Sequence, residues 1–264
     1  MPRRAGRHFL QIPGPSAVPE RILHAIARQV IDHRGPDFAE VGRRALNGMK
    51  TIFKTKEGRV FIYPASGTGA WEAALVNTMS VGDRVLMYET GHFAALWNKM
   101  AAKLGLEPEC IEGDWRGGAD PEAIEARLRA DTGHDIKAVC VVQNETSTGS
   151  VSAVAEVRKA IDAAGHPALL MIDSISGLAS IDFRMDEWGV DVCVSGSQKG
   201  LMLPPGLSFN AVSEKAMEVA RTGGMRRSYW DWNEMEGPNA TGYFPYTPGT
   251  NLLFGLNEAI AMLH

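Results

Sequence analysis

The 264-residue sequence is poor in cysteine, in long apolar runs and in surplus charge. Its 3 cysteines, Cys110, Cys140 and Cys193, are widely spaced, with no C-x-x-C pair and no close histidine partner. That pattern excludes a disulfide framework and a zinc ribbon, and it fits small buried hydrophobes in a reducing compartment. The longest apolar stretches, around 138–142 and 168–172, fall far short of the roughly 20 residues that span a bilayer. The opening Met1-Pro2-Arg3-Arg4 is basic, yet Pro13-Gly14-Pro15 stands where a signal peptide needs an apolar stretch. Lys and Arg total 27 against 31 for Asp and Glu, so the net charge of −4 gives no basic footprint for nucleic acid or anionic lipid. The expectation is a soluble, cytoplasmic protein with no metal site and no nucleic-acid or membrane partner.

What is present is ordinary globular composition, 45% hydrophobic and 22% charged, in a length that suits one large domain. Short, nearly continuous apolar runs at 59–63, 84–88, 136–142, 168–172, 190–194 and 207–212 read as parallel strands buried on both faces. Helical periods lie between them at 69–78, 121–128 and 154–161. The alternation predicts an α/β fold, a mostly parallel central sheet flanked by helices. The Gly- and aromatic-rich stretch 223–249 reads as a long functional loop. The domain assignment is a single unit, 1–264, with an N-terminal segment, 1–20, and a final amphipathic helix, 251–264, that stops without a cap; no small second domain follows it.

Ligands of open α/β sheets bind beyond the carboxyl ends of the strands, so the residues after each run carry the functional signal. Ser66-Gly67-Thr68-Gly69 follows the first run and leads into a helix. Small residues there let the backbone approach an anion, and the helix N-terminus offers free N–H groups; an N-cap with a tight turn would use the same residues. Asn144-Glu145-Thr146-Ser147-Thr148-Gly149 follows the run at 136–142. Asp173 ends another run, where an unpaired carboxylate is costly; it reads either as a cap or as the acidic partner of a pyridine nitrogen. Lys199 closes Ser195-Gly196-Ser197-Gln198-Lys199-Gly200 and reads either as a solvated lysine or as a desolvated Schiff-base amine. Asp173 and Lys199 lie 26 residues apart, which leaves room for one crossover, so both can reach one rim. Anion cradle, hydroxyl, carboxylate and lysine together match the needs of pyridoxal 5′-phosphate.

The same residues carry a resemblance. Ser195–Gly200 followed by Leu203-Pro204-Pro205-Gly206 resembles the lysine motif of the class V aminotransferases, in the serine–glyoxylate and alanine–glyoxylate branch. The likeness extends through Pro13-Gly14-Pro15, Asp32-His33-Arg34, Ser66 to Ala74, Asn144 to Gly149, Phe183 to Gly189 and Tyr246-Thr247-Pro248, so it covers essentially the whole chain. It implies the large domain of a fold-type I pyridoxal-phosphate transferase, working as a homodimer with shared active sites. Lys199 is then the residue that holds the cofactor as an internal aldimine and shuttles a proton. Asp173 becomes the pyridinium partner and Thr146 the partner on the ring-hydroxyl side. Ser66, Gly67, Thr68 and Gln198 hold the phosphate, and Phe93 stacks on the ring, with His92 as the rival stacker. Thr247 reaches the phosphate of the neighbouring subunit, while the tyrosine expected beside it aligns with Phe244, flanked by Tyr243 and Tyr246.

The resemblance also implies a C-terminal small domain whose arginine clamps the substrate carboxylate. No arginine before His264 matches that motif; Arg34 is the substitute the sequence offers, and it serves equally as a surface ion-pair residue. For a chain ending at His264 the expectation is cofactor binding with severely weakened transamination. The implied reaction transfers an amine to glyoxylate, with serine the preferred donor and alanine or aspartate as alternatives. Trp115, Tyr229 and Trp230 are candidate pocket walls. Rival readings are a pyridoxal-phosphate lyase or desulfurase, a cofactor-binding fragment with little activity, and a nucleotide-binding protein, which does not account for Ser195–Lys199.

Overall fold

The computed structural model describes residues 10–264, and Met1-Pro2-Arg3-Arg4 lies outside the described residues. Two helices come first, α1 (Glu20–Ile26) and α2 (Pro36–Phe53). The sheet elements then alternate: β1 (Arg59–Tyr63), α3 (Gly67–Thr78), β2 (Arg84–Glu89), α4 (His92–Lys103), β3 (Glu107–Glu112), α5 (Pro121–Ala130), β4 (Ile136–Val142), α6 (Val154–Ala163) and β5 (Leu169–Asp173). The chain closes with β6 (Val192–Gly196), β7 (Ser208–Val212), α7 (Glu214–Thr222), α8 (Trp232–Ala240) and α9 (Thr250–Leu263).

The seven strands form one sheet in the order β1-β7-β6-β5-β4-β2-β3. The ladders from β3 through β2, β4 and β5 to β6 are parallel, as the apolar runs predict. The runs at 59–63 and 207–212 do not join in parallel: β7 is antiparallel to both β6 and β1. The reason is the short connection from Gly196 to Ser208, which contains no helix and cannot carry the chain back to the starting edge. Because β1 is antiparallel to β7, it points the same way as β6, so its carboxyl end joins the same rim.

Side chains alternate across the sheet. Val60, Ile62, Leu170, Ile172, Phe209 and Ala211 pack on the face covered by α1, α2, α5, α6 and α9. Phe61, Tyr63, Leu169, Met171 and Val194 pack on the face of α3, α4, α7 and α8. The same alternation puts Asp173 on the α3 side. Helix α2 buries Phe38, Ala45, Met49 and Phe53 on one stripe, each large side chain worth about 1.5–3 kcal/mol. The stretch 223–249 contains α8, which starts at the cap Asp231, whose carboxylate accepts from the Asn233 N–H, and which buries Trp232 in a stack with Phe61 at 5.7 Å. No helix among the described residues is long and apolar enough to cross a membrane.

Candidate active site

Five loops at the carboxyl ends of β1, β2, β4, β5 and β6 enclose a cavity of about 130 Å³. Ser66, Gly67, Thr68, Phe93, Thr146, Asp173, Gln198 and Lys199 all line it; Thr247 does not. Trp71, Asn144, Ile175 and Ser176 also line it, although the sequence reading gave them no role.

Helix α3 supplies the floor. Its cap residue Ser66 makes no side-chain cap bond, whereas Asp120, Ser213 and Asp231 each cap their own helices. The Gly69 and Ala70 amides turn back to the Ser66 carbonyl, leaving those of Gly67 and Thr68 as the open donors of the first turn. A Cβ at Gly67 would lie 2.4 Å from Ile175 Cδ1, so glycine is what admits the cavity wall here. Across the cavity the Gln198 Oε1 is buried without a partner.

Asp173 is the last residue of β5 and is 3% exposed. Trp71 Nε1 donates to its Oδ2 at 2.9 Å and the Ile175 amide donates to its Oδ1 at 2.7 Å. Burial nevertheless pushes the carboxyl up to about 7, with the Glu145 charge adding to the rise and both donors and Lys199 opposing it. Lys199, three residues past β6, feels the converse: burial lowers its amine, against the pull of Asp173. Its Nζ donates to the Pro13 carbonyl at 2.8 Å. Ser16 closes this strap, its Oγ donating to the Lys199 carbonyl at 2.9 Å and its amide to the Gln198 carbonyl at 2.9 Å. Gly14, at φ +133°, lies so close that an added Cβ would sit 2.6 Å from Nζ.

Phe93 reaches the cavity from the first turn of α4, while His92 is exposed and meets it edge-on at 5.6 Å. Glu145 holds that turn. Fully buried, it accepts from the Phe93 amide at 3.3 Å and the Ala94 amide at 3.1 Å, and from the Ser147 amide and hydroxyl. Thr146 Oγ1 hydrogen-bonds Ser176 Oγ.

Thr247 lies elsewhere, exposed in a wide cleft of about 880 Å³ with His33, Arg34, Tyr229, Tyr243, Phe244 and Tyr246. Tyr246 donates to the Ser228 carbonyl and to Glu234, and it stacks on Tyr229 at 5.2 Å. Trp230 packs on Tyr63 and donates to Glu72, and Trp115 donates to Glu89, so neither lines the Asp173 cavity. Cys140 and Cys193 are buried thiols pushed well above the ordinary range; Cys110, in β3, is half-buried and raised by burial and by Glu89. Among the described residues no cluster of three His, Cys, Asp or Glu side chains is arranged for a metal.

Residues 8–264 match the family model of the class V aminotransferases. The chain belongs to that family. It is 50% identical to a serine–glyoxylate aminotransferase of Methylorubrum extorquens, over 99% of this chain and 66% of that protein. It is 46% identical to an L-aspartate–glyoxylate aminotransferase of Paracoccus denitrificans, over 94% of this chain and 63% of the other. Among solved structures, an aspartate aminotransferase of Thermus thermophilus superposes with a TM-score of 0.88 at 29% identity, covering 97% of this chain and 70% of that one. An alanine–glyoxylate aminotransferase of Nostoc gives 0.88 at 26% identity, over 99% and 69%. The class V chain thus spans 66% and 63% of the length of these two curated relatives.

The cofactor of this family is pyridoxal phosphate, and the cavity of this class V chain fits it. The open turn of α3 suits a phosphate, the buried Asp173 suits a cationic ring nitrogen, and a desolvated amine suits an aldehyde.

Proposed function

We propose that the chain carries the cofactor-binding part of an aminotransferase that moves an amine from serine to glyoxylate, yielding hydroxypyruvate and glycine. The observation that carries this reading is one cavity holding a buried carboxylate pushed up to about 7 and a lysine pushed down. The serine–glyoxylate names of relatives at 50%, 48% and 42% identity support serine as donor. The aspartate–glyoxylate relative at 46% keeps aspartate as the second donor to assay.

When bound, pyridoxal phosphate supplies an aldehyde for a primary amine and a ring that accepts the electron pair of the substrate α-carbon. The protein does the rest. The Gly67 and Thr68 amides, with Ser66 and Gln198, hold the phosphate. Asp173 keeps a proton on the ring nitrogen, because a buried anion favours a cation opposite it. Lys199 would anchor the aldehyde and then, as a free amine, would take the proton from the substrate α-carbon and deliver it to the former aldehyde carbon, C4′; burial favours the neutral amine that this needs. Phe93 covers the ring and excludes water, and Thr146 fixes the ring hydroxyl. Thr247 in its open cleft serves the partner subunit of a cytoplasmic homodimer.

A desulfurase reading needs a reactive thiolate, and Cys110, Cys140 and Cys193 are all raised rather than lowered. The test is to load the chain with pyridoxal phosphate and follow its visible band. L-Serine should bleach the band, glyoxylate should restore it, and borohydride should fix the cofactor on Lys199. A colourless chain with no borohydride adduct would refute the reading.

A further inference from the structure

The Asp173 carboxylate receives one side-chain donor, and that donor belongs to a residue without an assigned role. Trp71 lies on α3, four residues after Gly67 and so on the same helix face as the open phosphate turn. Its Nε1 donates to Asp173 Oδ2 at 2.9 Å, and both residues are 3% exposed, so bulk water does not compete. The indole cannot swing away: it stacks on Trp97 with centroids 6.0 Å apart and planes 14° from parallel, and Trp97 is 1% exposed. Among the described residues the only other donor to Asp173 is the Ile175 amide, which comes from the adjoining backbone. One rigid helix therefore presents an anion cup at its first turn and a fixed N–H at its second.

We infer that Trp71 is the positioning residue of Asp173, its indole N–H fixing both the orientation and the ionised form of the carboxylate that is to meet the cofactor's ring nitrogen. The inference rests on the cofactor site proposed above. An indole N–H donates and never accepts, so it stabilises the carboxylate form over the acid, in which a proton occupies one oxygen. The charged and titratable groups facing Asp173 from the neighbouring loops and strands are Glu145, Lys199 and the Cys193 thiol. None of them changes when the N–H alone is removed.

Trp71→Phe keeps an aromatic ring against Trp97 and removes the donor. In the cofactor-free chain labelled with ¹³C at aspartate carboxyls, with Asp173→Asn to assign the signal, the Asp173 titration midpoint should rise by about one to two pH units in Trp71→Phe. An unmoved midpoint overturns the inference. If that variant does not fold, the wild-type chain decides: the Trp71 indole ¹⁵N–¹H signal should titrate with the midpoint of Asp173, and an indole signal that ignores pH overturns it. In the loaded chain, pyridoxal phosphate affinity of Trp71→Phe should fall about five-fold or more at pH 7 and approach wild type near pH 10, where Asp173 is ionised in both. An equal loss at both pH values would mean that Trp71 only packs, and that also overturns it. Failure of the chain to bind pyridoxal phosphate at all would refute the cofactor reading, while the two NMR titrations would still judge Trp71.

Discussion

Asp173→Asn exchanges a buried carboxylate for a neutral amide of nearly the same shape, and the structure fixes what that should do to stability. Burial raises the folded-state carboxyl from an ordinary 3.8 to about 7. The folded chain therefore holds a proton that the unfolded chain releases. Stability from this group is fully present below about pH 3.8 and is lost as pH rises through about 7. At about 1.36 kcal/mol per pKa unit, the whole loss is about 4 kcal/mol, of which about 2.5 kcal/mol falls between pH 5 and pH 8. Against a total stability of about 5–15 kcal/mol for ordinary domains, that is a large share.

Urea denaturation of the cofactor-free wild type and Asp173→Asn at half-unit steps from pH 5 to pH 8 measures it. His166 and Asp131, whose ring nitrogen and carboxylate lie 3.1 Å apart, titrate in both chains and cancel in the difference. The wild type should lose about 2.5 kcal/mol relative to the variant over this range. Saturating pyridoxal phosphate should flatten the slope, since a cationic ring nitrogen removes the penalty on the anion. A difference that stays level from pH 5 to pH 8 without cofactor would refute the reasoning, because it would mean that Asp173 is ionised across the whole range at no cost.

Three further substitutions probe the groups around that carboxylate. Lys199→Ala should abolish the borohydride-fixed adduct, read by intact mass, while leaving the far-ultraviolet dichroism of the chain unchanged. Gly14→Ala places a methyl 2.5 Å from Lys199 Cδ at φ +133°, at a cost of about 1–3 kcal/mol, and should slow adduct formation at least about ten-fold. Glu145→Gln removes the charge that receives two amide donors from the first turn of α4 and two donors from Ser147; it should cost about 2–3 kcal/mol in urea. It should also lower the Asp173 midpoint, since the Glu145 charge raises it.

How much of this was readable from the sequence follows from where each residue gets its constraint. Strands β4 and β5 announce themselves because both faces are buried, which forces unbroken runs such as Leu169-Leu170-Met171-Ile172. Asp173 stands out by ending such a run. Strand β3 stays hidden: it is an edge strand of Glu107, Pro108, Glu109 and Glu112, whose exposure leaves no apolar signature. The antiparallel β7 has the same composition as a parallel strand, and only the helix-free link before it tells them apart. Helix α8 was masked by Gly237 and Pro238 inside it, both poor helix formers, although Asp231 is an ordinary cap. Residues whose role depends on a distant partner were the least legible. Trp71 meets Asp173 across 102 positions and Pro13 meets Lys199 across 186, and no local pattern encodes either meeting.

Those two long-range contacts do opposite things to the two ends of the cavity. Trp71 donates to an anion that burial disfavours, and so keeps Asp173 nearer to ionisation. The Pro13 carbonyl accepts from a cation that burial also disfavours, and so keeps Lys199 nearer to protonation. The first contact serves the loaded state, in which the carboxylate needs its charge. The second opposes it, since an amine held as a cation cannot attack an aldehyde. Attachment of the proposed cofactor would therefore break the Lys199–Pro13 bond, and the Gly14 backbone, where an added Cβ would sit 2.6 Å from Lys199 Nζ, bounds the space on that side of the amine. The bulk excluded at position 14 is thus a constraint on the lysine's movement, whereas the glycine at 67 is a constraint on the cavity wall.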